Sequence, residues 1–163
     1  MITKDQLKIS MTRECDIAVH LHSKLTPAAF AYRPTPEQRS TLELLRYLAI
    51  CATAGIRCMS EANWKLFSEY SERVKEMTPE EFPRLMALQK SEIEAFMDGT
   101  PEETLATKEA PMPGGSTMTL GVAIMNGPLK WLTAYKMQLF LYAKASGAVD
   151  LGTSNVWRGV DKS

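Results

Sequence analysis

Only two histidines, His20 and His22, and three cysteines, Cys15, Cys51 and Cys58, occur in the 163-residue sequence. One inward histidine cannot build a zinc site unless all three cysteines converge on it, so a structural metal is not expected. Three cysteines without a CxxC pair are poor material for a disulfide framework and suit a reducing compartment. Net charge is missing as well: 19 basic and 19 acidic residues cancel, so nothing recruits nucleic acid or an anionic membrane. No basic stripe interleaved with aromatics appears. The most apolar run, from Tyr47 to Ile56, is bracketed by Arg46 and Arg57 and is too short to span a bilayer. Charges recur from Lys4 to Asp16, which excludes a signal-peptide core at this end. The expected location is the cytoplasm. There is no Ser-His-Asp set, P-loop or dinucleotide fingerprint, and Pro113-Gly114-Gly115-Ser116 is an isolated turn.

What is present is ordinary globular material, 45% hydrophobic and 23% charged, in a chain long enough to bury one core. Residues 65–103 hold 5 basic and 10 acidic side chains, read here as a solvated helix face. Thr3 with Gln6 three residues on makes a capping-box pattern, and Leu7, Met11, Cys15, Ala18, His22 and Leu25 then recur on one helical face. Thr26-Pro27 ends that helix, and Arg33-Pro34-Thr35-Pro36 forbids its continuation. Ser40-Thr41-Leu42-Glu43 is a second capping box, opening a mostly buried helix to Met59 whose polar stripe is Glu43, Arg46, Thr53 and Arg57.

Residues 60–77 read as a crossover with a helical turn or two around Trp64, Phe67 and Tyr70. Thr78-Pro79-Glu80-Glu81 starts a third helix, closed by Asp98-Gly99. After a loop marked by Pro111, Pro113, Gly114 and Gly115, a fourth begins near Thr117 to Thr119 and ends at Ser146-Gly147. Asn126-Gly127-Pro128 should kink or restart it. From Leu129 to Ala145 it is apolar nearly all round, as suits a central helix or a subunit contact. No strand alternation is evident. The expected architecture is all-α: a four-helix bundle over residues 1–147 and a tail over 148–163, carrying Trp157, that packs back on it.

Leu25-Thr26-Pro27, Tyr32-Arg33-Pro34 and Thr41-Leu42-Glu43-Leu44-Leu45-Arg46-Tyr47-Leu48-Ala49 resemble the opening of the DinB/YfiT-like superfamily. Tyr135-Lys136-Met137-Gln138-Leu139 through Tyr142, ending in Gly147, resembles its closing helix. The resemblance covers about residues 1–147 and implies a bundle with up-down-down-up connectivity, often homodimeric. It also implies three metal-binding histidines in active members, some of them thiol-dependent S-transferases. Those positions fall here at Tyr47, Trp131 and Tyr135, with no histidine among them. A neutral indole offers no lone pair and a neutral phenol is a poor ligand, so no metal or other cofactor is expected.

Trp131, Tyr135, Gln138 and Tyr142 share one stripe, and Tyr47, Cys51, Ala54 and Cys58 another. If the stripes face each other, they either fill the space as core or line a pocket in which Tyr47, Trp131, Tyr135 and Gln138 bind a small molecule. His22 reads as a hydrogen-bonded core histidine, and the cysteines as small buried residues. Two function classes follow: a metal-free small-molecule binder or atypical S-transferase, and a non-catalytic homodimeric interaction module.

Overall fold

Side chains that reach back to their own backbone set where the long helices begin. In the computed structural model, which describes residues 2–162, the Gln6 N–H donates to Thr3 Oγ1 (3.2 Å) and the Thr3 N–H to Gln6 Oε1 (3.0 Å). Met1 and Ser163, which bound the sequence-based division at residue 147, lie outside the described residues. Helix α1 (Lys4–His22) follows from that cap and buries Leu7, Met11, Cys15, Ala18 and Leu21. Ser40 and Glu43 repeat the device ahead of α2 (Thr41–Leu48).

The expected single helix to Met59 is two helices. Ile50, at φ −132° and ψ −20°, leaves the helical region, and α3 (Cys51–Ser60) starts afresh. Such a break exposes amides and a carbonyl that burial does not tolerate unpaired. Gln89, almost wholly buried, satisfies them: its Oε1 accepts from the Ala52 N–H (3.0 Å) and its Nε2 donates to the Leu48 carbonyl (2.8 Å). Thr53, expected on the polar stripe, is buried instead, with its hydroxyl donating to the Gln89 carbonyl at 3.4 Å.

The crossover contains α4 (Leu66–Val74), and Arg46 holds its far end through two bonds to the Met77 carbonyl, 3.1 and 3.0 Å. A 3-10 turn (Pro79–Glu81) then leads into α5 (Phe82–Gly99). After α6 (Glu102–Thr107), the proline- and glycine-marked loop is a small antiparallel hairpin, β1 (Glu109–Pro111) with β2 (Thr117–Thr119), Ala110 opposite Met118. Three-residue strands are too short to show alternation in the sequence, and they delay the last long helix to Leu120.

That last helix is continuous but not uniform. Segment α7 (Leu120–Ile124) passes through a π-helical turn (Met125–Leu129) into α8 (Lys130–Ala145). Pro128 has no N–H and crowds the carbonyl one turn back, and the wider π turn relieves both problems without breaking the helix. A final helix, α9 (Thr153–Arg158), packs on α1 and α8. The bundle is α1, α2–α3, α5 and α7–α8 in up-down-down-up order, with α1 against α5 and α8, and α2 against α8. Among the described residues no helix is long and apolar enough to cross a membrane.

Candidate functional site

Tyr47 on α2 and Tyr135 on α8 meet across the seam between those helices. Their ring centroids lie 4.6 Å apart at 60°, an edge-on contact, and Phe67 of α4 adds a third ring 5.9 Å from Tyr47. Arg39, just ahead of the Ser40 cap, lays its guanidinium 4.5 Å from the Tyr47 centroid and 5.5 Å from that of Tyr135. Cation–π attraction accounts for that placement. Arg39 is exposed and has no ion pair or hydrogen bond among the described residues. Burial, with Cys51 and the Tyr135 hydroxyl beside it, pushes the Tyr47 phenol well above its ordinary value, so it is neutral at physiological pH.

Trp131, one turn before Tyr135, lies on the backbone of α3. A Cβ added at Gly55 would fall 2.5 Å from Trp131 Cζ3, so the missing side chain is what lets the indole approach. Trp131 is therefore a packed wall beside the tyrosine pair. Gln138 looks to the other end of the stripe: its Nε2 donates to the Tyr142 hydroxyl (2.6 Å), and Tyr142 packs edge-on against Tyr32 at 5.5 Å. The structure thus brings Tyr47, Tyr135 and Arg39 together and places Gln138 with Tyr142 and Tyr32. Arg39 went unmarked in the sequence because nothing in its spacing distinguishes it from other loop arginines.

Both histidines have structural partners elsewhere in the fold. His22 is stacked near Phe30 and Phe82, and its Nε2 lies 2.8 Å from the Pro79 carbonyl. Since a carbonyl can only accept, Nε2 carries the proton. His20 is engaged by the tail, its Nε2 3.0 Å from Asn155 Nδ2. Cys15, Cys51 and Cys58 are unbridged and buried, and burial pushes the Cys15 thiol up to about 12. Burial raises Cys51 and Cys58 too, so none supplies a thiolate at neutral pH. Among the described residues no three His, Cys, Asp or Glu side chains are grouped to hold a metal ion. The donor chemistry at Tyr47, Trp131 and Tyr135 does not fit one either.

Two surface cavities lie away from this seam. One of about 380 Å³ is bounded by Lys24, residues 147–151 and the tail, and one of about 480 Å³ by Leu7, Leu105, Val122 and Met125.

The crystal structure of a DinB-like protein from Bacillus subtilis, YjoA, matches this chain with a TM-score of 0.69. The match covers 87% of this chain and 92% of that one, at 17% sequence identity. The fold is DinB-like. At that identity the likeness concerns architecture, which is compatible with many activities. No protein-family model and no curated protein sequence matches the chain. The DinB-like bundle therefore has to be read from its own side chains.

Proposed function

We propose that this chain is a metal-independent DinB-like binding protein that takes a small planar acid at the α2–α8 seam. Tyr47 and Tyr135 supply rings and hydroxyls, Trp131 supplies an apolar wall, and Gln138 with Tyr142 forms a polar patch farther along. Arg39 carries the reading: an exposed guanidinium over two phenol rings, with no carboxylate of the described residues against it. A guanidinium edge pairs with a carboxylate in two parallel bonds. On the family resemblance, Tyr47, Trp131 and Tyr135 stand where metal-bearing relatives carry histidine, which supports a site that works without metal. The raised cysteine thiols and their lack of bridges favour a non-covalent role and the cytoplasm.

Thermal shift with low-molecular-weight thiols and small aromatic acids tests the reading. A ligand that binds only the folded state raises the midpoint with its saturation. An aromatic acid should stabilise the wild type. Tyr47→Phe and Tyr135→Phe should each lose about 1 kcal/mol of its binding, the worth of a neutral hydrogen bond, and Arg39→Gln should lose more. No shift with any compound overturns the reading; equal shifts in all variants place the ligand elsewhere.

A second reading, a non-catalytic homodimeric module, is favoured by Leu141, which is 56% exposed on α8 between exposed Ala134 and Ala145. A symmetric dimer would cover that face. Light scattering at roughly tens of micromolar, the range of weak association, should then give twice the chain mass; a clean monomer removes the reading.

A further inference from the structure

Lys136 follows Tyr135 on α8 by one residue but faces α1, and it is 0% exposed. A lysine is seldom buried so completely without a full set of partners. Its ammonium stands 2.8 Å from Glu14 Oε2 on α1, yet neither atom has a hydrogen bond in good alignment, and both are shut off from solvent. The face of Trp157, on α9, lies 4.9 Å from the ammonium. Trp157 itself is 52% exposed. Part of the cover over a wholly buried charge is therefore a half-exposed ring of a six-residue helix.

What fastens that helix is equally local. Asn155 and Val156 are its two buried residues. Asn155 Nδ2 lies 3.0 Å from His20 Nε2 and 3.1 Å from Asp161 Oδ1, and Lys24 Nζ donates to Asp161 Oδ2 at 2.7 Å. Gly159, at φ +66°, turns the chain back so that Asp161 can reach these partners. A Cβ there would also meet Ile17 Cγ1 at 3.2 Å. These ties are few, and the Lys24–Asp161 pair is open to solvent.

We infer that α9 is a lid that opens as a unit while the bundle stays folded, admitting water to the Lys136–Glu14 pair. Closing the lid buries apolar surface under Val156 and Trp157, but it also strips water from two charges whose mutual geometry is imperfect. Desolvating an ion pair opposes closure unless hydrogen bonds satisfy the remaining donors, and here they do not. Elements with few buried contacts open well before global unfolding.

Hydrogen exchange and lysine labelling on the full chain test this together. Amides of α9 should exchange faster than the buried amides of α1 and α5. An amine-acylating reagent should modify Lys136 more slowly than exposed Lys65 and Lys108, at a rate that follows α9 exchange. Asn155→Ala should raise both α9 exchange and Lys136 labelling about tenfold, the effect of losing one hydrogen-bonding side chain. Core exchange should not move. Asp161→Asn should raise the same two rates by roughly threefold, as befits an exposed ion pair, and serves if Asn155→Ala disturbs the bundle. Replacing the pair by Glu14→Leu with Lys136→Met should slow α9 exchange. If α9 exchanges only with the core, or Lys136 labelling ignores the tail variants, the lid does not exist and the pair is a fixed part of the core.

Discussion

Gly55 and Trp131 touch backbone to ring: a Cβ built on Gly55 would lie 2.5 Å from Trp131 Cζ3 and 3.0 Å from Pro128 Cγ. Helix propensity alone favours alanine over glycine by about 1 kcal/mol, whereas overpacking a core costs about 1–3 kcal/mol. The ring belongs to a rigid side chain, and the Pro128 ring crowds the same Cβ, so the steric cost should win. Gly55→Ala is expected to lower the melting temperature. The double variant with Trp131→Leu should recover part of the loss, because contacting sites are not additive. Thermal melts of the four proteins decide it.

Gln89→Leu preserves bulk but leaves the Ala52 amide without its acceptor and the Leu48 carbonyl with only the weak Cys51 thiol donor, at 3.8 Å, at the α2–α3 break. Each orphaned buried group costs about 1–3 kcal/mol, so urea unfolding should show a loss of roughly 3 kcal/mol. A change below about 0.5 kcal/mol, the scale of surface substitutions, would mean that water or another side chain takes over.

Burial lowers the His22 pKa from its ordinary value, with the Pro79 carbonyl bond partly opposing it. Because the folded value lies below the unfolded one, the unfolded chain binds more protons in the window between them. Stability from His22 is therefore fully present above about pH 6.5 and is lost as pH falls through its lowered folded value. His20, lowered mainly by burial and then by Lys24, adds a slope of the same sign. Urea midpoints from pH 7.5 to 5 should fall for the wild type and fall less for His22→Gln. An unchanged slope in that variant assigns the effect to other groups.

Metal content offers a direct check on the seam. Elemental analysis of the purified protein after tag removal should find no stoichiometric nickel, zinc or iron. One equivalent that disappears in His22→Ala would make His22 a ligand and overturn its assignment as a packed, hydrogen-bonded side chain.

Helix order, the first two caps and the buried face of α1 were legible in the sequence because each depends on spacing within about one turn. The proline and glycine loops were legible too, although Ala110 and Met118 pair in strands too short to leave a pattern. The break at Ile50 was not legible, since its repair comes from Gln89, 39 positions away in sequence. Lys136 shows the same limit: its partner, Glu14, lies on the first helix, and a lone lysine in an apolar run gives no sign that it points inward. The sequence leaves open whether the two aromatic stripes face one another, which depends on the family geometry; in the structure Tyr47 and Tyr135 meet.

The π-helical turn at Met125–Leu129 has a geometric reach beyond Pro128. One additional residue in a turn advances the phase of all that follows by about 100°, one residue's rotation in an α-helix. Trp131, Tyr135 and Lys136 inherit that advance. The turn is thus the angular origin of α8, deciding which side chains face α2 and which face α1. Lost or gained by a single residue, it would turn the aromatic stripe and the buried lysine away from their partners together.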